Sequence, residues 1–214
     1  RNAQTKMKVL EAEQRLNRLR MNPHFFFNAL ASLQNFSLDN NNQEFIASYI
    51  AKLSKIMRQS LESTFTEFVS LEEEITFLEN YLQVQQLLQN NKFEYEINES
   101  NIDDRSALKM PSMLLQPFIE NAIEHGFNSL LTGGFVKINF IVEKAFLKIE
   151  IIDNGEQNNE IKKDTQHKSR AIGIINDRVF ILNKMLKSKA HFTITQNENK
   201  KGTKVEIFLP LLLQ

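Results

Sequence analysis

Cysteine is absent from this chain of 214 residues. Disulfides, thiolate metal sites and thiol nucleophiles are therefore excluded, which suits a reducing compartment. Net charge is absent too: Lys and Arg number 26 together, and so do Asp and Glu. Proteins that grip nucleic acid usually carry a basic excess, so direct nucleic-acid binding is not expected. No uninterrupted apolar run approaches the ~20 residues of a membrane-spanning helix, and no signal peptide is visible. Low-complexity tracts and internal repeats are also missing. The chain begins with Arg1 rather than Met, inside residues that already favour helix. It is expected to be a soluble piece of something longer.

What is present is a core. Apolar residues make up 42% of the chain, enough for one large domain or two small ones. Val9, Ala12, Leu16 and Leu19 form a narrow seam at helical spacing, either coiled-coil-like or the end of an ordinary amphipathic helix. The Asn-rich "DNNNQ" at 39–43 reads as a turn. A second helix follows, with Ile46, Tyr49, Ile50, Leu53, Ile56, Met57 and Leu61 on one face. Ser70 with Glu73 three residues on is a capping box, opening a helix that runs to about Asn90. Beyond it the texture changes. "KFEYEIN" alternates like a strand, and so do the stretches around 136–142 and 147–151. "MPSMLLQPFIENAIEHGF" is helix-length, with Pro117 either starting or kinking it. Residues 155–170 read as a polar loop, "AIGIINDRVFILNKML" as a helix, and "HFTITQ" with "TKVEIFLP" as a hairpin. Two domains are expected: helices over 1–90, and about five strands with two longer helices over 91–214.

"MNPHFFFNAL" is the odd segment. Pro23 lacks an N–H and should loosen the helix just upstream of His24. Asn28 lies four residues on and shares the face of His24. Phe25, Phe26 and Phe27 span most of a turn and cannot all be buried on one side. A neutral imidazole held this way is a nucleophile, or else an interface histidine with a hydrogen bond. "QPFIENAIEHG" sets Glu120, Asn121, Glu124 and His125 on roughly one side of a helix. An amide there is costly without a partner such as a metal ion or a phosphate-bound water. "KIEIIDNGEQN" ends a strand on Asp153, a carboxylate able to accept from an amino-bearing base, and Gly155 lets the chain turn. Gly173 with exposed N–H groups at a helix start is an anion site. Gly202 and Thr203 open the last strand. Each alone is an ordinary cap or turn; the order of the set is specific.

Together "MNPHFFFNAL", "LEEEITFLENYLQVQQL", "MPSMLLQPFIENAIEHG", "DNG" and "GTKVEIFLP" resemble the LytS/YehU-type sensor histidine kinases of bacterial two-component systems, from about Leu16 to Pro210. The resemblance implies an α+β chain: an N-terminal helical dimerisation and phosphotransfer region, then a Bergerat (GHKL) α/β sandwich with a mixed sheet of about five strands. It implies His24 as phosphoacceptor and ATP with Mg2+ as the ligands. Asn121 would hold Mg2+, and Asp153 would take the adenine amino group in a pocket shaped by Gly155 and Thr203. Gly173 would lie near the phosphates. Residues 156–170 would be the nucleotide lid, and Glu120 a base or orienter. His125 would border the nucleotide or act as a structural hydrogen-bonder; His167 and His191 read as surface residues. The implied partners are a second copy and a response-regulator receiver, often of LytTR type, with membrane attachment only through an upstream sensor region. The implied location is the cytoplasmic side of a bacterial inner membrane. Two residues depart from the family pattern: Gln157 stands where a second glycine is common, and Glu124 where a basic residue often meets a phosphate. Lys162, Lys163, Lys168 and Arg170 either offset that repulsion or are ordinary solvated charges. The alternative these departures open is a degenerate dimeric scaffold or phosphatase module.

Overall fold

The computed structural model describes residues 23–38, 43–63, 65–127, 130–155, 165–186, 188–197 and 201–213. The seam at 9–19, the kink expected upstream of His24 and most of the 39–43 turn lie outside them, as do residues 156–164 of the expected lid.

Two helices come first, α1 (Pro23–Leu38) and α2 (Gln43–Glu62). The three phenylalanines of α1 diverge as helical geometry demands: Phe25 is buried, Phe26 half-buried and Phe27 70% exposed. On α2 the apolar face divides. Tyr49, Leu53 and Ile56 turn inward, while Ile50, Met57 and Leu61 stay exposed. The Tyr49 hydroxyl donates to the Ala29 carbonyl at 3.1 Å and locks α2 to α1.

A short strand, β1 (Phe68–Ser70), leads into α3 (Leu71–Leu88). The expected capping box is present. The Glu73 N–H donates to Ser70 Oγ at 3.2 Å, and the Ser70 N–H donates to the Glu73 carboxylate at 2.7 Å. The helix stops at Leu88, and Asn90 and Asn91 both take left-handed backbone, which asparagine tolerates. Helix α3 buries Leu71, Ile75, Leu78, Tyr81, Leu82 and Val84. It touches α1 and α2 on one side, and the strands β1, β2 (Phe93–Ser100) and β3 (Leu108–Pro111) on the other.

Then follow α4 (Gln116–Asn121), which continues as a π-helical turn (Ala122–Gly126), β4 (Gly134–Glu143) and β5 (Phe146–Asp153). Helix α5 (Thr165–Leu186), β6 (His191–Gln196), β7 (Thr203–Pro210) and β8 (Leu212–Leu213) complete the chain. Five strands form one mixed sheet in the order β2-β4-β5-β7-β6, parallel only between β2 and β4. This is the anticipated mixed sheet. A second sheet of order β1-β3-β8 was not anticipated, because its three short strands come from distant parts of the chain. On the large sheet Val136, Ile138, Phe140, Ile149, Ile151 and Ile207 face the core. Lys148, Glu150, Lys204 and Glu206 form ion pairs of 3.0–3.3 Å on alternate positions of β5 and β7. No described helix is long and apolar enough to cross a membrane.

Of the two placements expected for Pro117, a helix start or a kink, the start is found: residues 108–111 are strand, and the helix begins at Gln116 with Pro117 in its first turn, where a missing N–H breaks no bond. One expectation needs correction. The stretch expected as loop to residue 170 is already helical from Thr165.

Glu74 on α3 is 3% exposed, and burial pushes its carboxyl up to about 7 against the Met113 backbone hydrogen bond and the Arg178 charge. Its usual value is 4.5, so between the two the folded chain keeps a proton that the unfolded chain has lost. Stability should therefore fall as pH rises through that window and level off above it. Glu74→Gln should flatten this slope in urea titrations run from about pH 5 to about pH 8; equal slopes in variant and wild type would contradict it.

Candidate functional site

The C-terminal end of β5 gathers the most constrained backbone of the sheet. Asp153 is 8% exposed, and its Oδ1 accepts from the Gly155 N–H at 2.9 Å. Asn154 clamps the turn. Its Oδ1 accepts from the Phe135 N–H at 2.7 Å, and its Nδ2 donates to the Gly133 carbonyl at 2.8 Å. Gly155 lies against Gly126, the last residue of the π turn: a Cβ on Gly155 would stand 2.5 Å from Gly126 Cα. No other residue fits there without moving backbone.

Gly126 in turn bridges two predicted residues. A Cβ built on it would stand 3.7 Å from Asp153 Oδ1 and 3.9 Å from the Asn121 carbonyl. Gly202 comes from a third direction, with a φ of +79° and no room for a side chain against the Asp153 carbonyl. The Asn197 Nδ2 donates to that carbonyl at 3.4 Å. Thr203, the first residue of β7, is thereby carried to the same end of the sheet. The backbone of Asn121, the carboxylate of Asp153, Gly155 and Thr203 thus meet around glycines.

Beside this group sits a buried polar cluster. Gln116 Nε2 donates to Glu120 Oε1 at 2.7 Å. Burial first, and the Glu124 charge second, raise the Glu120 carboxyl to about 7. Hydrogen bonds from Gln116 and Tyr81, and the Arg178 charge, pull it back. Tyr81 projects from α3. Its hydroxyl accepts from Gln85 Nε2 at 2.8 Å. Burial holds the Tyr81 phenol well above its ordinary range. Arg178 on α5 donates from Nη1 to the Met113 carbonyl. The π turn changes the residue spacing just after Asn121, a distortion that recurs at functional sites.

The remaining predicted residues are placed less fully. His24 lies in the first turn of α1, but its side chain is outside the described atoms, as are those of His125 and His167. Gly173 does not open a helix. Helix α5 begins at Thr165 because Gln166, Lys168, Arg170 and Ala171 are helix formers, so Gly173 is interior and the free N–H groups belong to the turn at 165–168. His191 is exposed and stacks on Phe208 with ring centroids 4.7 Å apart. A cavity of about 520 Å³ between α2, β1 and α3 is lined by none of the predicted site residues.

Sequence reasoning passed over four contributors. Gly126, Asn154 and Asn197 act through contacts across the chain that local pattern does not carry. Tyr81 sits in an apolar helical stripe and reads as core; the one cue was its hydroxyl.

Residues 12–93 match the model of the family described as "Histidine kinase". The sensor histidine kinase BtsS of Escherichia coli (strain K12) is 32% identical over 149 residues, 70% of this chain and 26% of that protein. The sensor histidine kinase/phosphatase LytS of Staphylococcus aureus (strain Mu50 / ATCC 700699) is 29% identical over 167 residues, 77% of this chain and 27% of that one. The chain therefore spans about a quarter of the length of these curated relatives. Among solved structures, the histidine kinase domain of the Erythrobacter litoralis EL346 blue-light activated histidine kinase superposes with a TM-score of 0.52 at 15% identity. That match covers 99% of this chain and 95% of the other, and it speaks for the fold.

Gly155→Ala should cost about 1–3 kcal/mol of stability, since the added methyl meets backbone and not a movable side chain. Gly173→Ala, with nothing within 4 Å of the new methyl, should be neutral or gain up to about 1 kcal/mol. Urea unfolding of the two variants checks both, and equal stabilities would refute the close approach at Gly155.

Proposed function

Because this chain belongs to the sensor histidine kinase family, we propose that it phosphorylates its own His24 from ATP and passes the phosphoryl group to an aspartate of a response regulator. The observation that carries the reading is the meeting of the Asn121 backbone, Asp153, Gly155 and Thr203 at one end of the sheet, around glycines packed close to a buried carboxylate. Such a cradle fits a flat base bearing an amino group, with Asp153 accepting from it. Asn121 would hold Mg2+, and Gly155 and Thr203 would shape the pocket wall. Gly173 and His125 would border the nucleotide, and Glu120 would act as base or orienter. Bound ATP·Mg2+ supplies the transferable phosphoryl group and neutralises its charge. The His24 imidazole nitrogen forms the new N–P bond as the bond from the γ-phosphorus to ADP breaks. The chain's own share is positioning, since phosphoryl transfer needs little covalent help.

Residues 1–90 would form the dimerisation and phosphotransfer region, and 91–214 the ATP-binding domain. The exposed Phe27 and Leu30 of α1, with Ile50, Met57 and Leu61 of α2, support a homodimer through the helices. The regulator would be met by its receiver domain, of LytTR type by resemblance. An upstream sensor region would attach the whole protein to the membrane and bias the position of the α1 helix. The second reading, a scaffold or phosphatase module, is favoured by Glu124, whose charge already opposes ionisation of Glu120 and would oppose a phosphate.

Incubation with γ-labelled ATP and Mg2+ tests these readings. Label that is acid-labile, alkali-stable and lost in His24→Ala is the expected result. Nucleotide turnover that survives His24→Ala would mean an ATPase without transfer. Absence of both label and ATP binding would leave the scaffold.

A further inference from the structure

We propose that the cavity of about 520 Å³ between α2, β1 and α3 is a second binding site, one that takes a small organic cation with a flat apolar body and an N–H-bearing head. None of its lining residues belongs to the proposed nucleotide site, so this inference stands or falls apart from the kinase reading.

Hydrogen bonding in the wall selects the head group. The amide and hydroxyl donors there already have acceptors. Gln59 Nε2 donates to the Glu73 carbonyl at 3.5 Å, and Ser63 Oγ to the Ser60 carbonyl at 2.7 Å. Thr66 Oγ1 donates to the Glu62 carbonyl at 2.6 Å, and Ser112 Oγ to the Thr66 carbonyl at 2.8 Å. Two acceptors of the lining residues are left over: Gln59 Oε1 and Glu74 Oε1 are sealed from solvent and have no hydrogen-bond partner among the described residues. An orphaned carboxyl oxygen is costly, and this one belongs to a side chain that is 3% exposed. A ligand that donates N–H relieves that cost, and a positively charged N–H relieves it most.

Charge agrees with this choice. Glu62, Glu73 and Glu74 line the cavity against the single ammonium of Lys109. Lys109 already acts on Glu73, where it helps to lower the carboxyl. Glu74 is left to be matched, with the Arg178 charge on α5 only partly opposing its burial. A cation in the cavity would favour the ionised form of that carboxyl. The apolar part of the wall sets the body of the ligand. Phe68, Val69, Phe77 and Met113 line it, and so does Phe65, whose ring is 89% exposed. An exposed ring beside a cavity gains by closing on a flat ligand, and aromatic faces attract cations. The volume lies within the roughly 300–1,000 Å³ usual for small-molecule sites.

The probe is benzamidine, a flat aromatic cation, with benzamide as a neutral counterpart of nearly the same shape. Titrated into the 15N-labelled full chain, benzamidine should give saturable amide shifts at Ser63, Phe65, Thr66 and Lys109, with Asp153 and Gly155 unmoved. Benzamide should bind about tenfold more weakly, because it lacks the charge. Glu74→Gln, which keeps the shape and removes the carboxylate, should weaken benzamidine by about the same factor of ten. Phe65→Ala alters an exposed ring, so it should leave urea unfolding unchanged and weaken benzamidine about threefold. Should Glu74→Gln fail to fold, Phe65→Ala and the comparison of the two probes still decide. No saturation below about 10 mM benzamidine, equal affinity for both probes, or an affinity unchanged in both variants would overturn the proposal. Shifts confined to Asp153 and Gly155 would overturn it as well, since the cation would then sit at the other site.

Discussion

Everything at the candidate site depends on two backbones touching. Gly126 ends the turn that follows Asn121, Gly155 lies two residues past Asp153, and they meet with no space for a side chain on Gly155. This contact brings the amide-bearing helix and the carboxylate-bearing strand together. Were Gly155 larger, the added Cβ would meet the Gly126 backbone, and the two predicted ligand groups would have to part. Asn154 and Asn197 serve the same contact from outside, one tying the turn to β4 and the other gripping the Asp153 carbonyl from the β6–β7 connection.

Behind the site lies a single continuous core. Residues of α1, α2 and α3 belong to the same buried cluster as those of the five-stranded sheet. Helix α3 is the shared element, packed on the helices by one side and on strands by the other. Its burial is uneven in chemistry: most of its inward side chains are apolar, yet Glu74, Tyr81 and Gln85 are nearly sealed from solvent. Buried polar groups of this kind are expensive unless each has a partner, and they specify one arrangement of the helices around them.

Local signals were readable from sequence alone. The capping box at Ser70 and Glu73 needs three intervening bonds and no tertiary partner, and it formed as read. Strand alternation in β4, β5 and β7 follows from one buried face, so these strands were legible too, while the mixed sheet they join was implied by the family resemblance. The β1-β3-β8 sheet was not, because strands of two to four residues carry too little period to register and pair across the whole chain. Gly173 misled for the opposite reason: a glycine before an apolar run resembles a helix start, and the polar helix formers ahead of it extended α5 past that point. Asp153 and Gly155 were singled out by their place in the ordered set of motifs that carries the family resemblance, since alone they read as an ordinary turn. Gly126 and Tyr81 could not be named in advance, since one acts by what it lacks and the other by where it reaches.

The proposed nucleotide position is the point where Gly126, Asp153, Gly155 and Thr203 converge. Backbone amide spectra of the 15N-labelled chain titrated with Mg·ADP test it most directly. Saturable shifts at Gly126, Asp153, Gly155 and Gly202, with little change at Gln59 or Glu74 beside the separate cavity, are the predicted result. Shifts confined to the cavity residues, with the β5 end silent, would contradict it.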